Sequence, residues 1–223
     1  MTMDKKMTKA APLPAYLIQK FQGWKTGKFA EKKALYKHLA DKGQKPPAMV
    51  ISCCDSRVNP TALFDTDPGE FFIHRNIANF VPPYSLTGDN HGTSAALEYA
   101  VTSLGVSHII VIGHSACGGV NGCYQMCSGK APQLEESTSF VGRWIDLLRP
   151  AFERVKHLDS EEKQIAALEL EGILLSLENL MGFPFVKQGV ENGTLTLHGL
   201  WNDIGAGELY CYDEKSGKFE QLT

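Results

Sequence analysis

The sequence predicts an α/β fold, with a mostly parallel central sheet, crossover helices, antiparallel strands at the C-terminal edge and an N-terminal helical arm. Three apolar runs, at residues 49–53, 71–74 and 107–112, have the length and composition of buried strands. A helical pattern at residues 94–104 separates the second run from the third. Strands that alternate with helices favour a parallel sheet, because a crossover helix returns the chain to the same end of the sheet.

The predicted arm precedes these strands. An amphipathic helical pattern covers residues 15–39 and is expected to break near residues 23–27. A chain of 223 residues can bury one good core but hardly two full-sized domains. We therefore predict a single domain, in which residues 1–43 form the arm and residues 44–223 form the α/β core.

Two helices and an antiparallel edge are predicted after the third strand. Residues 118–129 read as a looser stretch, and a helix near residues 140–148 is expected to end at Arg149, before Pro150. A longer helix begins at a capping box over residues 159–162. Its apolar stripe and its C-terminal stop signals are Ile173, Leu174, Leu177, Leu180 and Met181, then Gly182 and Pro184. Antiparallel edge strands are predicted at residues 194–198 and 208–212 and after a turn at Ser216 and Gly217.

Composition and charge exclude several classes of protein. The net charge of −3 and the absence of a basic patch argue against a nucleic-acid partner. The sequence has no run of about 18 apolar residues and no secretory signal pattern, which predicts a cytoplasmic protein without a membrane association. Six cysteines in such a chain favour reduced thiols over a disulfide framework.

Two short segments carry the chemistry, and each follows a predicted strand. Cys53 ends the first apolar run, and His114 and Cys117 follow the third. Open α/β sheets bind their ligands at the carboxyl ends of the strands, where these residues would meet. Two thiolates and an imidazole are a catalytic zinc ligand set, which leaves one coordination position for water. A lone cysteine at a strand end is usually only a small buried hydrophobe, so the prediction depends on the combination.

The two segments, Cys53-x-Asp55-Ser56-Arg57 and Gly113-His114-Ser115-Ala116-Cys117-Gly118-Gly119, resemble those of the β-class carbonic anhydrases. Residues 72–84 and 95–101 are similar to the segments that this family carries between its two motifs. The resemblance covers residue 44 to the end of the chain. It implies a zinc enzyme that hydrates carbon dioxide reversibly to bicarbonate and a proton.

The resemblance also implies the role of each residue at the centre. Cys53, His114 and Cys117 would bind one Zn²⁺ per chain. Asp55 and Arg57 would form a dyad that orients zinc-bound hydroxide. A carboxylate can accept a hydrogen bond from the hydroxide, and a nearby cation keeps that carboxylate ionised. The alternative for the pair is a surface ion pair of little energetic value.

A substrate pocket is implied by similarity to the plant-type branch of the family. Gln44 would hydrogen-bond carbon dioxide or bicarbonate, although a glutamine before Lys45-Pro46-Pro47 can also be a plain loop residue. The other pocket residues implied are Phe72, Ile77, Tyr99 and Gly118. Candidates for proton transfer are His74, His91 and His198, and no spacing selects among them.

Another branch of the family closes its site at low pH by moving the aspartate onto zinc. Val58 and Arg75 match parts of the bicarbonate pocket of that branch. Val50 and Ser52 depart from it, because that branch has tryptophan and glycine at these places. We therefore expect Asp55 to stay paired with Arg57.

Four cysteines lie outside the predicted ligand set, namely Cys54, Cys123, Cys127 and Cys211. Cys123 and Cys127 would share a face of a helix, and a second metal site is conceivable there. Two thiols without a further histidine or cysteine make a poor zinc site, so all four are interpreted as inert thiols.

The family resemblance implies a homodimer as the minimum unit, or a tetramer or larger assembly, with the apolar arm lying across the partner. Two alternatives to the anhydrase stay open at this point. One is a zinc hydrolase of a sulfur analogue such as carbonyl sulfide on the same fold. The other is a non-catalytic zinc-binding or redox-sensing protein, in which the Asp55 and Arg57 pair would have no use.

Overall fold

The computed structural model describes residues 11–88 and 91–223. The chain divides into two compact units, residues 1–44 and residues 45–223. The first unit holds the helical arm and the second holds the sheet. The predicted boundary after residue 43 differs from this division by one residue.

The arm consists of three helices, α1 (Ala15–Thr26), α2 (Lys28–Glu31) and α3 (Lys33–Lys42). Gly27 separates α1 from α2, close to the predicted break. The rings of Trp24, Phe29 and Tyr36 contact one another, with centroids 5.2–5.8 Å apart. None of the three helices contains a buried residue, and the apolar stripe that predicted the arm is exposed in α1 and half-buried in α2 and α3.

The second unit is built on a six-stranded sheet in the order β2-β1-β3-β4-β5-β6. The strands are β1 (Ala48–Cys53), β2 (Phe71–Asn76), β3 (His108–His114), β4 (Thr196–Asp203), β5 (Glu208–Asp213) and β6 (Lys218–Gln221). The four strands β2, β1, β3 and β4 are parallel, and β5 and β6 are antiparallel. This confirms the predicted α/β class and its mostly parallel sheet.

The first strand of the C-terminal region is a correction. Residues 194–198 were expected to join the sheet in an antiparallel sense, but β4 lies parallel to β3, with Thr196 opposite His108. The connection from β3 to β4 is a long helical crossover, which returns the chain to the end of the sheet where β3 began. Only β5 and β6, which are joined by short turns, run antiparallel.

Among its described residues, the second unit has seven α-helices: α4 (Pro60–Leu63), α5 (His91–Glu98), α6 (Gly118–Cys127), α7 (Phe140–Ile145), α8 (Arg149–Val155), α9 (Glu161–Leu180) and α10 (Pro184–Glu191). A π-helical segment, Tyr99–Leu104, continues α5. Short 3-10 turns lie at Ile77–Asn79, Pro132–Glu135 and Asp146–Leu148.

Three helix predictions need correction. The stretch 118–129 was expected to be loose, but it contains α6, whose residues Val120, Cys123, Tyr124 and Met126 are buried. Pro150 was expected to follow a helix end, but it lies in the first turn of α8, where its missing N–H is not needed. The cap of α9 is Ser160, whose side chain accepts from the Lys163 amide, rather than Asp159.

The longest helix connects the sheet to the helical layer beside it. α9 packs against β3 and β4 on one side and against α6 and α8 on the other. Ile173 and Leu180 of α9 are buried in the same core as Met49, Ile51 and Val111 of the sheet. In the described part of the chain, no helix is long and apolar enough to span a bilayer.

Candidate metal centre and active site

The three predicted metal ligands lie at the ends of three elements. Cys53 is the last residue of β1, His114 is the last residue of β3, and Cys117 is the N-cap residue of α6. All three are buried, with relative exposures of 4%, 1% and 1%. β1 and β3 are neighbouring parallel strands, so their carboxyl ends place the two loops side by side.

The ligand atoms of these residues form a compact group. One ligand atom from each lies within 4.8 Å of the other two, and the Sγ atoms of Cys53 and Cys117 are 3.9 Å apart. Two thiolates on tetrahedral zinc, with Zn–S bonds of about 2.3 Å, are about 3.8 Å apart. The ring of His114 contacts the Ser115 carbonyl oxygen through Nδ1 at 3.0 Å. Its Nε2 is buried without a hydrogen-bond partner, which leaves this nitrogen available to a metal.

The two thiols shift each other's pKa in opposite directions. Because Cys117 hydrogen-bonds Cys53, the pKa of the Cys53 thiol is lowered, and the pKa of Cys117 is raised by the same contact and by burial. Burial lowers the pKa of His114, but its contacts with Cys53 and Ser115 outweigh that effect, and the net shift is upward. A bound cation would deprotonate both thiols and hold the imidazole neutral. The donor set therefore fits zinc.

Asp55 and Arg57 form a close pair in the loop that follows β1. Asp55 Oδ1 accepts hydrogen bonds from the backbone amide and from Nε of Arg57, both at 2.9 Å. Asp55 Oδ2 accepts a hydrogen bond from Nη2 of Arg57 at 2.7 Å. Arg57 holds the pKa of the Asp55 carboxyl well below its usual range. Arg57 Nη2 also donates to the Ala116 carbonyl at 3.0 Å, which links the loop after β1 to the loop after β3.

Arg75 on β2 holds the backbone of the same loop. Its Nε donates to the Cys53 carbonyl, and its Nη2 donates to the Asp55 and Val58 carbonyls, each at 2.8 Å. The similarity to a bicarbonate pocket had singled out Arg75. In the structure its guanidinium fixes the position of the Cys53 and Asp55 backbone.

Glu169 on α9 contacts the metal-ligand loop, and the sequence analysis missed it. Its carboxylate is buried and accepts from the Cys117 amide at 3.1 Å and from Nε1 of Trp201 at 3.2 Å. Burial raises the pKa of this carboxyl. The signal was present in the sequence, because Glu169 is the charged residue one turn before Ile173 on the buried face of an apolar helix.

Several backbone torsions at the centre are left-handed. Ala116, between the ligands His114 and Cys117, has φ of 55°. Ala78 and Asn79, in the turn after β2, have φ of 63° and 48°. The Ala78 amide hydrogen-bonds the Cys53 sulfur, so this turn belongs to the environment of the ligand.

Comparisons with known proteins agree with this geometry. A family model described as carbonic anhydrase matches residues 48–209. Beta carbonic anhydrase 3 of Arabidopsis thaliana is 40% identical over 201 residues, which are 88% of this chain and 76% of that protein. The chain belongs to the β-class carbonic anhydrases. It is thus an enzyme of the carbonate dehydratase type, as the motifs had predicted.

Other β-class carbonic anhydrases share the fold. The solved structure of CcaA superposes with a TM-score of 0.83 at 32% identity, over 93% of this chain and 91% of that chain. A structure described as a tetrameric β-carbonic anhydrase from Sordaria macrospora has a TM-score of 0.72 at 28% identity and covers 88% of this chain and 94% of its own. Beta carbonic anhydrase 5, chloroplastic, of Arabidopsis thaliana is 40% identical over 81% of this chain, which spans 58% of that relative.

The predicted substrate residues of this carbonic anhydrase lie in different places. Ile77 follows β2 directly, and the start of α6 is so close that a Cβ on Gly119 would lie 2.6 Å from Ile77 Cγ2. Gly118 is exposed in the first turn of α6. Both residues adjoin the ligand segments within the second unit. Gln44 is the last residue of the first unit.

Phe72 and Tyr99 contact each other, with ring centroids 5.8 Å apart. Phe72 lies opposite Met49, whereas Asn76, four residues later on β2, lies opposite Cys53. At about 3.3 Å per residue, Phe72 is roughly 13 Å along the strand from the level of Cys53. Within one chain, this aromatic pair is therefore set back from the metal ligands.

The three histidines named for proton transfer are also separated. His74 lies opposite Ile51, and its Nε2 contacts Thr93 Oγ1 at 3.0 Å, while burial lowers its pKa. His198 lies opposite Ile110, four residues before His114 on β3, and is thus set back from the centre. His91 is the first residue of α5 and is exposed.

Proposed function

We propose that this β-class carbonic anhydrase hydrates carbon dioxide at a zinc ion held by Cys53, His114 and Cys117, with Asp55 and Arg57 orienting the attacking water. The observation that carries the proposal is the Asp55 and Arg57 pair, formed through two carboxylate oxygens and linked to the Ala116 carbonyl of the ligand loop. Zinc at such a site keeps a position for water and lowers the pKa of that water to about 7.

The hydrogen bonds of Asp55 leave one acceptor site at a defined atom. Each carboxylate oxygen can accept about two hydrogen bonds. Oδ1 already accepts two from Arg57, whereas Oδ2 accepts one. The Asp55 side chain is 17% exposed, so Oδ2 is accessible to a small molecule. We infer that Oδ2 accepts a hydrogen bond from the attacking water and so directs a lone pair of the water oxygen toward the carbon atom.

Arg57 supports this role in two ways. It stabilises the ionised form of Asp55, in which the carboxylate accepts hydrogen bonds and does not donate them. It also occupies three acceptor positions of the carboxylate, which restrains Asp55 in the loop. Both effects favour an active site in which Asp55 stays paired with Arg57.

We also propose a homodimer as the minimum unit. The arm supports this, because Tyr16, Leu17, Ile18 and Phe21 of α1 are 36–60% exposed and form an apolar surface. Apolar surfaces of this kind usually mark protein interfaces. A similar protein from Sordaria macrospora is described as tetrameric. A cytoplasmic location stays a prediction, and one relative is named chloroplastic.

The test is stopped-flow carbon dioxide hydration by zinc-loaded protein at pH 7 and pH 8.5. We expect rapid hydration at both values, and a loss of about 10²-fold in kcat in Asp55→Asn, because an amide can donate to the attacking oxygen. Asp65→Asn, in an exposed turn with φ of 46° that asparagine tolerates, serves as the matched control.

Three results would contradict the proposal. Hydration only at pH 8.5 would indicate that Asp55 occupies the metal at neutral pH. An Asp55→Asn enzyme as fast as Asp65→Asn would remove the dyad from the mechanism. Absence of hydration at both pH values, with one zinc per chain, would lead next to carbonyl sulfide as the substrate.

A further inference from the structure

A second pair of thiols lies on α6, six and ten residues after the metal ligand Cys117. Cys123 and Cys127 are four residues apart on α6, so their side chains share one face. Their Sγ atoms are 3.8 Å apart. Cys123 is fully buried, whereas Cys127 is half-buried and gives access to the pair from the surface.

The surroundings favour a thiolate at Cys127. Its hydrogen bond with Cys123 lowers the pKa of the Cys127 thiol, and the Arg149 guanidinium lowers it further, while the same contact raises the pKa of Cys123. Burial raises the pKa of Cys127, as do Asp146 and Glu135, but the net shift is downward, and both carboxylates are hydrogen-bonded to Arg149. The accessible thiol is thus the more readily ionised one.

A cavity adjoins this charged cluster. It measures about 260 Å³, and Met126, Leu134, Glu135, Asp146 and Arg149 are among the residues that line it. The three charged groups that act on Cys127 therefore all face the cavity. Neither cysteine lines the cavity itself, but Met126, which does, is the residue that precedes Cys127 on α6.

The sulfur separation matches a bridging atom better than a direct bond. A disulfide needs the sulfurs about 2.05 Å apart, which would force this turn of α6 to distort. An atom bonded to both sulfurs at about 2.3 Å holds them about 3.3 Å apart at a right angle and about 4.6 Å apart in a linear arrangement, a range that includes the observed 3.8 Å. Among the described residues, the one group of three metal-ligating side chains is Cys53, His114 and Cys117. Cys123 and Cys127 have no third ligand beside them and offer only two.

We propose that Cys123 and Cys127 form a dithiol site for a soft, thiophilic centre of low coordination number, namely Cu(I) or trivalent arsenic, separate from the zinc ligands. Thiolates select soft ions, and two ligands are too few for a structural zinc site. With an arylarsine oxide, the Cys127 sulfur attacks arsenic first and the Cys123 sulfur closes the ring. Two As–S bonds form, the two thiol protons leave with the oxide oxygen as one water, and arsenic stays trivalent.

The experiment uses zinc-loaded protein and phenylarsine oxide, followed by intact-mass and zinc measurements. We expect one phenylarsenic group per chain, with two protons lost and the zinc content unchanged. The adduct should resist an excess of 2-mercaptoethanol and be removed by 2,3-dimercaptopropanol, because a chelate releases arsenic only to another dithiol.

Two variants and a control locate the site. Cys127→Ser and Cys123→Ala should each lose the stable adduct, whereas Cys211→Ser, which removes a half-buried cysteine on β5, should keep it. A stable adduct in Cys127→Ser, an adduct that displaces zinc, or no adduct in the unmodified protein would each overturn the proposal. None of these results depends on carbon dioxide hydration.

Discussion

A buried carboxylate needs hydrogen-bond donors. Two hydrogen-bond donors of Glu169 belong to the metal-ligand loop and to the neighbouring sheet. One is the amide of the ligand Cys117, and the other is the indole of Trp201 on β4. The carboxylate therefore connects α9 to the ligand loop and to the sheet at once. We interpret Glu169 as a positioning residue for Cys117.

Glu169→Gln should release zinc faster than the unmodified protein. A glutamine side chain has a single acceptor oxygen, so its amide NH₂ would face one of the two donors and leave it unsatisfied, at about 1–3 kcal/mol. The measurement is the rate of zinc transfer to a chromogenic chelator at constant pH. Glu171→Gln, on the same helix but ion-paired with Arg154, should release zinc at the original rate. Equal rates for both variants would contradict a positioning role.

Arg57→Gln should lower kcat/KM by a similar factor at pH 7 and pH 8.5. Arg57 holds the pKa of Asp55 below its usual range, and its removal lets that pKa rise toward about 3.9. A depressed carboxyl pKa affects the ionised fraction only as the pH falls through it, so Asp55 stays ionised at both test values. The loss then reflects orientation. Stopped-flow rates at the two pH values measure it, with Arg154→Gln as the control.

A loss confined to pH 7 in Arg57→Gln would contradict this account, because it would mean that Arg57 controls a group that titrates near neutrality.

The sequence predicted the residues that carry their signal in local spacing. Cys53, His114 and Cys117 follow apolar runs directly, and the structure brings their ligand atoms together. The partners that hold them could not be predicted in the same way. Glu169 is 52 residues from Cys117, and Arg75 is 22 residues from Cys53, so only the folded chain reveals these contacts.

At the scale of elements, the first turn of α6 is the tightest contact near the centre. A Cβ on Gly119 would lie 2.6 Å from Ile77 Cγ2 and 3.1 Å from the Ala78 amide nitrogen. A Cβ on the preceding Gly118 would meet no atom within 4 Å. Of these two adjacent glycines, packing therefore requires a glycine only at position 119.

Gly119→Ala should destabilise the zinc-loaded protein by about 1–3 kcal/mol, as overpacking usually does. Gly118→Ala, the matched control, should change the free energy of unfolding by less than about 0.5 kcal/mol. Urea titration followed by tryptophan fluorescence measures both. Equal free energies of unfolding for the two variants would show that the turn after β2 yields without loss.

The helix at residues 118–129 was missed for a physical reason. Residues 118–129 contain three glycines in their first five positions, which weakens a helix taken alone. In the structure, α6 packs against α7, α8 and α9, and burial of Val120, Tyr124 and Met126 stabilises the helix despite those glycines. Local pattern could not reveal this packing. The continuous apolar run of β1 and the long apolar stripe of α9 could be recognised from the sequence without this packing.

For the whole molecule, the exposed arm makes the strongest prediction. Light scattering of the zinc-loaded protein should give a mass of at least twice the 24.5 kDa of one chain. Phe21→Glu, at a side chain that is 54% exposed, should reduce this mass without unfolding the chain, because it places a charge in the apolar surface of α1. Gln22→Glu adds the same charge at the next position and should leave the mass unchanged.

A mass of one chain for the unmodified protein at micromolar concentration would contradict the homodimer. The same mass for Phe21→Glu as for the unmodified protein would remove the arm from the interface.

The fold class was predictable because strand and helix signals alternate along the first 114 residues. The parallel direction of β4 was not predictable. It depends on where α10, the last of the five α-helices between β3 and β4, ends relative to the sheet. Strand direction is a property of the whole connection, and the residues of β4 themselves carry no mark of it.

The left-handed torsions around the ligands have a consequence for robustness. Three of the four non-glycine residues with such torsions in the described part of the chain are Ala116, Ala78 and Asn79, beside Cys53 or between His114 and Cys117. Each L-residue is disfavoured there by roughly 1–2 kcal/mol relative to a right-handed conformation. The surrounding hydrogen bonds therefore hold these loops in a strained backbone conformation. A change of these residues to right-handed torsions is expected to move the ligands apart. A more stable variant of this enzyme, obtained by relieving that strain, is expected to be a poorer catalyst.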